Sequence, residues 1–145
     1  MALIKQDLRS IAIAAERHIR AYSADLISPS YPTSTARAAK LATYYLAAIS
    51  LFTGGAPTQL SDPSLFAQFI AGPLERIQGL ALDVVGHRVE PVAENSAIIW
   101  LMLRVDGRAE VSNVYFFRRG DDGEVGFEGA IFDGELWLLR QLGLA

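Results

Sequence analysis

Residues 96–133 decide the fold, and they read SAIIWLMLRVDGRAEVSNVYFFRRGDDGEVGFEGAIFD. Val, Ile, Leu and aromatic residues fill the segments 96–105, 108–119 and 124–133, which are separated by Asp106-Gly107 and by Gly120-Asp121-Asp122-Gly123. Runs of this composition favour β-strands, and short connections rich in Asp and Gly favour hairpins. We therefore expect three consecutive antiparallel strands.

A fourth strand is predicted upstream at residues 79–90, because the connection 91–95 is also short enough for a hairpin. Before it, apolar residues at spacings of three and four predict an amphipathic helix over residues 4–22. Thr33 or Ser34 can cap a second, alanine-rich helix that runs until Thr53-Gly54-Gly55. Ser61-Asp62-Pro63 predicts a short third helix around residues 65–71, which Gly72-Pro73 stops or redirects.

The expected class is α+β, with three helical segments packed on one face of a four-stranded antiparallel sheet. Strands of about ten residues span roughly 33 Å, so the twisted sheet must curl around what packs on it. A curled sheet closed by helices makes a cone with an opening. A chain of 145 residues that is 51% hydrophobic fits one domain, spanning residues 1–145.

The composition excludes several classes of site. The net charge is −3 and the basic residues are scattered, so we expect no nucleic-acid partner. Cysteine is absent and there are only two histidines, so we expect no thiolate or histidine-rich metal site. The apolar runs are shorter than a membrane span and charges begin at Lys5, so we expect a soluble cytoplasmic protein without a membrane partner.

The order of these features resembles the SnoaL-like family of the nuclear transport factor 2-like superfamily. The resemblance lies in the early helices, Gly79-Leu80 opening the sheet, the second strand at 96–100, and Ile131-Phe132-Asp133 followed by residues 138–143. It implies a cone-shaped fold with a deep apolar pocket for a hydrophobic small molecule. It also implies a homodimer that pairs through the outer face of the sheet.

Asp133 is the first candidate for a catalytic residue. By alternation along the strand, Val125, Phe127, Gly129, Ile131 and Asp133 share one face, which resembles a cone interior. Burial there would raise the pKa of a carboxyl group toward the range of a general acid or base. The resemblance likens Asp133 to the acid/base aspartate of SnoaL-type polyketide cyclases. Alternatively, Asp133 caps the helical turn that follows it.

His87 and Tyr44 are the other catalytic candidates. His87 shares strand parity with Asp83, so the two would line one face of the first predicted strand, either as a polar surface or as part of the site. The resemblance implies that second-helix residues border the cone, so Tyr44 is a candidate to donate its hydroxyl to a ligand. A tyrosine with its hydroxyl at the surface is the alternative.

The substrate-binding candidates are a histidine on the first helix, an acid on the first strand, and aromatic residues that either line the pocket or fill the core. His18 borders the apolar stripe of the first helix, and Tyr22 with Asp25 resembles the Tyr and Asp of scytalone dehydratases. Trp100 could equally support a dimer interface, since Ile99, Leu101 and Leu103 form the apolar face of its strand. The full set is His18, Tyr22, Asp83, Trp100, Tyr115 and Phe127.

The resemblance implies an enzyme that needs no cofactor. The expected reaction is acid/base cyclisation, isomerisation or dehydration of a polyketide- or terpenoid-like intermediate. Two alternatives remain open. One is a non-catalytic carrier of a small molecule, and the other is a protein-interaction module whose cone is filled by its own side chains.

Overall fold

A computed structural model describes residues 6–53, 56–132, 138 and 140–143 of the chain. The elements within these residues are α1 (Arg9–Ile27), α2 (Ser34–Ala42), β1 (Tyr45–Thr53), β2 (Ala56–Leu60), α3 (Pro63–Arg76), β3 (Leu82–Ala93), β4 (Ser96–Val105), β5 (Ala109–Arg119) and β6 (Val125–Ile131). The α+β class is confirmed, but the predicted order of three helices followed by the strands is wrong, because β1 and β2 lie between α2 and α3.

The second and third helices begin where their capping residues predict. Thr33 accepts the Ala36 N–H at the start of α2, and Asp62 accepts the Ser64 and Leu65 N–H groups at the start of α3. The last carbonyls of α1 are satisfied by the guanidinium of Arg37, which donates to Asp25 and Leu26 at 2.8 Å and to Ser28 at 2.7 Å. This contact ties α2 to the end of α1.

Two predictions about the helices are wrong. The second helix ends at Ala42, and Tyr45–Thr53 forms a strand instead of continuing it. The third helix passes through Gly72-Pro73 and ends at Arg76. Proline removes one N–H donor from a helix, but the turns around Pro73 keep Ile70 and Leu74 packed against the core.

The sheet has six strands in the order β2-β1-β6-β5-β4-β3, so the prediction of four strands is wrong. The predicted meander of β3 to β6 is present, and its strands pair antiparallel. The two extra strands extend it, because β1 pairs parallel with β6 and antiparallel with β2. Asp106 and Gly107 both have positive φ, 56° and 65°, as a tight Asp-Gly hairpin turn requires.

One face of the sheet, here called the inner face, packs against the helices. The alternation predicted for β4 is confirmed, since Ile99, Leu101, Leu103 and Val105 are buried and their neighbours are less so. The apolar stripe of α1 covers this face with Ile11, Ala15, Ile19, Tyr22 and Leu26. Within the described residues, no helix has both the length and the apolar character needed to cross a membrane.

Candidate functional site

A cavity of about 110 Å³ lies between the helices and the inner face of the sheet. Its walls are almost entirely apolar: α3 contributes Ile70 and Leu74, the residue after α3 is Ile77, and the sheet contributes Leu103 and Val111. The α3 side chains are only half-buried, so the cavity opens on that side. An apolar recess with one accessible side is the usual form of a small-molecule site.

Three polar residues lie together in this apolar wall. Asn113 donates its amide N–H to the Tyr115 hydroxyl at 3.3 Å. The Tyr22 hydroxyl hydrogen-bonds the Tyr45 hydroxyl, also at 3.3 Å. The two hydrogen-bonded pairs lie side by side, because the rings of Tyr22 and Tyr115 pack with their centroids 5.3 Å apart.

The three buried tyrosines of this group, Tyr22, Tyr45 and Tyr115, are neutral. Burial raises the pKa of Tyr22, Tyr45 and Tyr115 well above the usual range, and the neighbouring phenols add to the effect. Their hydroxyls can therefore donate and accept hydrogen bonds, but they do not supply a base near neutral pH. The oxygen of a ligand is the group that such an arrangement can hold.

Charged groups do not line the cavity among the described residues, because none of its lining side chains is Asp, Glu, Lys, Arg or His. In the same part of the chain, no three His, Asp or Glu residues lie close enough together to hold a metal ion.

The sequence matches no protein-family model and no curated protein. Solved structures match the fold. A nuclear transport factor 2-like protein of unknown function from Pseudomonas putida superposes with a TM-score of 0.64 at 11% identity, over 86% of each chain. A candidate ketosteroid isomerase from Shewanella frigidimarina gives 0.60 at 14% identity, over 81% of this chain and 93% of that one. Nuclear transport factor 2 from Cryptosporidium parvum gives 0.58 at 12% identity, over 89% of this chain and 98% of that one.

The chain has the nuclear transport factor 2-like fold. The matched structures include a candidate isomerase, a transport factor and a protein of unknown function, so this fold by itself does not select one activity.

Two of the predicted binding residues, Tyr22 and Tyr115, lie in the cavity wall of this nuclear transport factor 2-like domain. Phe127 does not. It is fully buried behind them, with its ring centroid 5.2 Å from that of Tyr22 and 4.7 Å from that of Tyr115. Phe127 therefore holds the two tyrosines in place, and its prediction as a contact residue for the ligand is corrected.

His18 packs against Tyr44, Phe117 and Phe127 and lies outside the cavity wall. Its Nε2 donates to the Tyr44 carbonyl at 2.9 Å. Burial lowers the pKa of His18, and the hydrogen bond to the carbonyl opposes that shift only in part. The imidazole is thus a neutral part of an aromatic cluster.

Tyr44 also lies away from the cavity. Its hydroxyl donates to the carboxylate of Asp25, which accepts a second hydrogen bond from Tyr31 at 2.7 Å. Burial raises the pKa of Asp25, but these hydrogen bonds and the charges of Lys40 and Arg37 outweigh it, so the pKa lies below its usual value. The arrangement ties the loop after α1 to the end of α2. The prediction that Tyr44 donates its hydroxyl to a ligand is therefore corrected, because this hydroxyl makes a structural hydrogen bond.

The predicted pairing of Asp83 with His87 is wrong, because β3 carries a bulge between Val84 and Gly86. Asp83 is exposed and lies opposite Arg104 in the β3–β4 register, on the outer face of the sheet. His87 lies opposite the buried Leu101. His87 contacts Glu16 of α1 at 2.6 Å. The hydrogen bond from His87 is the main reason that the pKa of Glu16 is lowered, so this pair joins α1 to β3 outside the cavity.

Trp100 lies on the outer face, where the guanidinium of Arg88 stacks 4.2 Å from its ring. Its predicted contact with a ligand in the cavity is therefore wrong. The alternative of a role on the outer face agrees with this position.

Asp133 lies outside the described residues, but the alternation on which its assignment depended can be examined. Phe117 pairs with Phe127 and Phe116 pairs with Gly129, so Glu128 is an extra residue in β6. Beyond this bulge the buried residues are Ala130 and Phe132. The core-facing residue before the bulge is therefore the odd-numbered Phe127, and those after it are the even-numbered Ala130 and Phe132, so the predicted single face through residues 125–133 is broken at Glu128.

Asn113 was missed by the sequence analysis. It lies on β5 between Val111 and Tyr115 in the row of residues that faces the helices. A polar residue within an otherwise apolar alternation was the available signal. That signal is weak without knowledge of which face is covered.

Proposed function

We propose that this chain binds a hydrophobic small molecule in the cavity between its helices and sheet. The observation that carries the proposal is the apolar cavity with hydrogen-bonding groups of Tyr22, Asn113 and Tyr115 in its wall. Apolar walls supply affinity in such sites, and a few polar groups fix the orientation of the ligand.

We further propose that the bound molecule is a terpenoid- or polyketide-like intermediate, cyclised, isomerised or dehydrated without a cofactor in the manner of SnoaL-like proteins. The matched candidate ketosteroid isomerase supports this direction. Asp133 is the proposed acid/base on the resemblance to SnoaL-type polyketide cyclases, in which an aspartate late in the chain has this role. A positioned general acid or base contributes about 10²- to 10⁴-fold to a rate.

Asp133→Asn tests the catalytic part of the proposal. Wild-type protein and the variant are incubated with a panel of cyclic ketones, epoxides and unsaturated alcohols, and products are followed by mass spectrometry. We expect the variant to lose at least about 100-fold in turnover, because the amide cannot exchange the proton, while ligand binding is retained. Asp121→Asn, in the exposed β5–β6 connection, is the matched control and should leave turnover unchanged. Equal turnover in Asp133→Asn and wild type would refute the role of Asp133.

The carrier alternative has one observation in its favour. Among the described residues that line the cavity, none supplies a carboxylate or an imidazole. A carrier would bind members of the same panel and return them unchanged, so the panel distinguishes the two functions.

We also propose a second copy of this chain as the partner of the outer sheet face. Phe52 of β1 and Met102 of β4 are 37% and 36% exposed on this face, and Trp100 lies on the same strand as Met102. Exposed apolar side chains on a sheet face that no helix covers are typical of an interface.

A further inference from the structure

The size of the cavity limits its ligand. At about 110 Å³ it is smaller than an engineered apolar cavity of about 150 Å³ that binds benzene. One six-membered ring with small substituents is therefore the upper limit of what this space accepts without movement of the surrounding elements. A skeleton of four fused rings would require α3 to move away from the sheet.

The charge of the ligand is limited by the same walls. No lining residue within the described part of the chain carries a charge that would compensate a carboxylate or an ammonium group. A charged group that is buried without a partner is costly, so such ligands lose affinity relative to neutral ones.

Among the polar residues described in the cavity wall, Asn113 is the most accessible to the ligand. Tyr22 and Tyr115 are only 3% and 1% exposed, whereas Asn113 is half-buried and lines the cavity. A carboxamide offers two N–H donors and an oxygen acceptor, and the described residues engage one N–H of Asn113, at 3.3 Å from Tyr115. The remaining donor and acceptor can serve a carbonyl or a hydroxyl of a ligand.

We propose that the cavity selects a neutral molecule the size of a single ring that bears one carbonyl or hydroxyl oxygen, and that Asn113, backed by Tyr115, holds that oxygen. This inference rests on the proposed function, since it takes the cavity as the binding site, and it narrows the ligand class to small one-ring compounds. Within the range of terpenoid- and polyketide-like intermediates, it favours the smallest.

The test uses four probes: toluene, p-cresol, p-toluate and a four-ring steroid ketone. Each is titrated into the ¹⁵N-labelled protein, and two-dimensional NMR spectra report both the affinity and the residues that shift. We expect p-cresol to bind about 3- to 10-fold more tightly than toluene, which is the gain from one hydrogen bond. We expect p-toluate and the steroid ketone to bind more weakly than toluene.

Two variants locate the hydrogen bond. Asn113→Leu keeps the volume of the side chain and removes the amide, so p-cresol and toluene should bind within about twofold of each other. Tyr115→Phe removes the hydroxyl that supports Asn113, and it should also reduce the preference for p-cresol over toluene. Val111→Ala is the control in the same strand and cavity wall, and it should change the affinity for both probes by the same factor. The spectra show whether each variant is folded.

Each outcome has a distinct meaning. Equal binding of toluene and p-cresol to the wild type would overturn the inference and leave the apolar cavity as a binding site. Tighter binding of p-toluate or of the steroid ketone would overturn it as well, and so would a p-cresol preference that survives in both polar variants. If no probe binds at the cavity, the proposed function fails together with the inference.

Discussion

His18 is held as a neutral imidazole by the aromatic rings around it, and this makes the stability of the protein depend on pH. In the unfolded chain its pKa is about 6.5, whereas burial lowers it in the fold. The unfolded state therefore binds the proton more readily, so the free energy of unfolding falls as the pH drops below about 6.5 toward the folded pKa. Above that pH, His18 contributes no further change.

Urea unfolding of wild type and His18→Gln between about pH 5 and 8 measures this dependence. The variant lacks the titrating group, so its free energy of unfolding should fall less over the acidic half of the range. The comparison between the two proteins isolates His18 from every other ionisable group. Parallel pH profiles for the two proteins would show that His18 is not buried in its neutral form.

The sequence located residues correctly where strand alternation is unbroken. The buried face of β4 was assigned correctly. Alternation failed at the two bulges, which moved Asp83 away from His87 and changed the side of β6 at Glu128. A bulge adds one residue without a clear local signature, so parity cannot be carried across it from sequence alone.

At the scale of elements, the parallel pairing of β1 with β6 depends on a glycine. A Cβ at position 129 would lie 2.8 Å from the Ser50 carbonyl oxygen and 3.1 Å from the Phe116 ring. Gly129→Ala must push β1 away from β6, so we expect a loss of about 1–3 kcal/mol in the free energy of unfolding, as overpacking usually costs.

Gly72→Ala is the matched control for that substitution. Gly72 lies in α3 with no atom within 4 Å of its potential Cβ, and alanine in a helix is favoured over glycine by about 0.5–1 kcal/mol. The same urea titration should therefore show a small gain for Gly72→Ala and a loss for Gly129→Ala. A Gly129→Ala protein as stable as the wild type would mean that the β1–β6 contact is looser than described.

The elements that the sequence predicted are those with local causes. Capping residues started α2 and α3, and the Asp106-Gly107 turn fixed the β4–β5 hairpin. Tyr45–Thr53 was mistaken for helix because Ala47 and Ala48 suit a helix and its strand partner, β6, is far away in the chain. Tertiary pairing of this kind overrides local propensity, and it cannot be read from a short window.

At the scale of the whole molecule, the helices pack on one face of the sheet, and the outer face is the surface proposed to bind a second copy of this chain. Within the described residues, α1 packs on β3 and β4 from the inner side, and the outer face carries Phe52, Trp100 and Met102. Self-association through this face would bury these side chains and the stacked Arg88. The wild-type protein should therefore show a concentration-dependent increase in mass by sedimentation velocity.

Met102→Lys tests whether this face forms the interface. The side chain is 36% exposed on the outer face, so lysine costs the isolated fold little but places a charge in the centre of the proposed contact, where it loses its water. We expect the variant to remain monomeric over the concentrations at which the wild type dimerises. Ile13→Lys, on the exposed side of α1 where Ile13 is 60% exposed, is the control and should dimerise like the wild type. A dimer that persists in Met102→Lys but dissociates in Ile13→Lys would move the interface from the sheet to the helices, because only the residue inside the contact responds to the added charge.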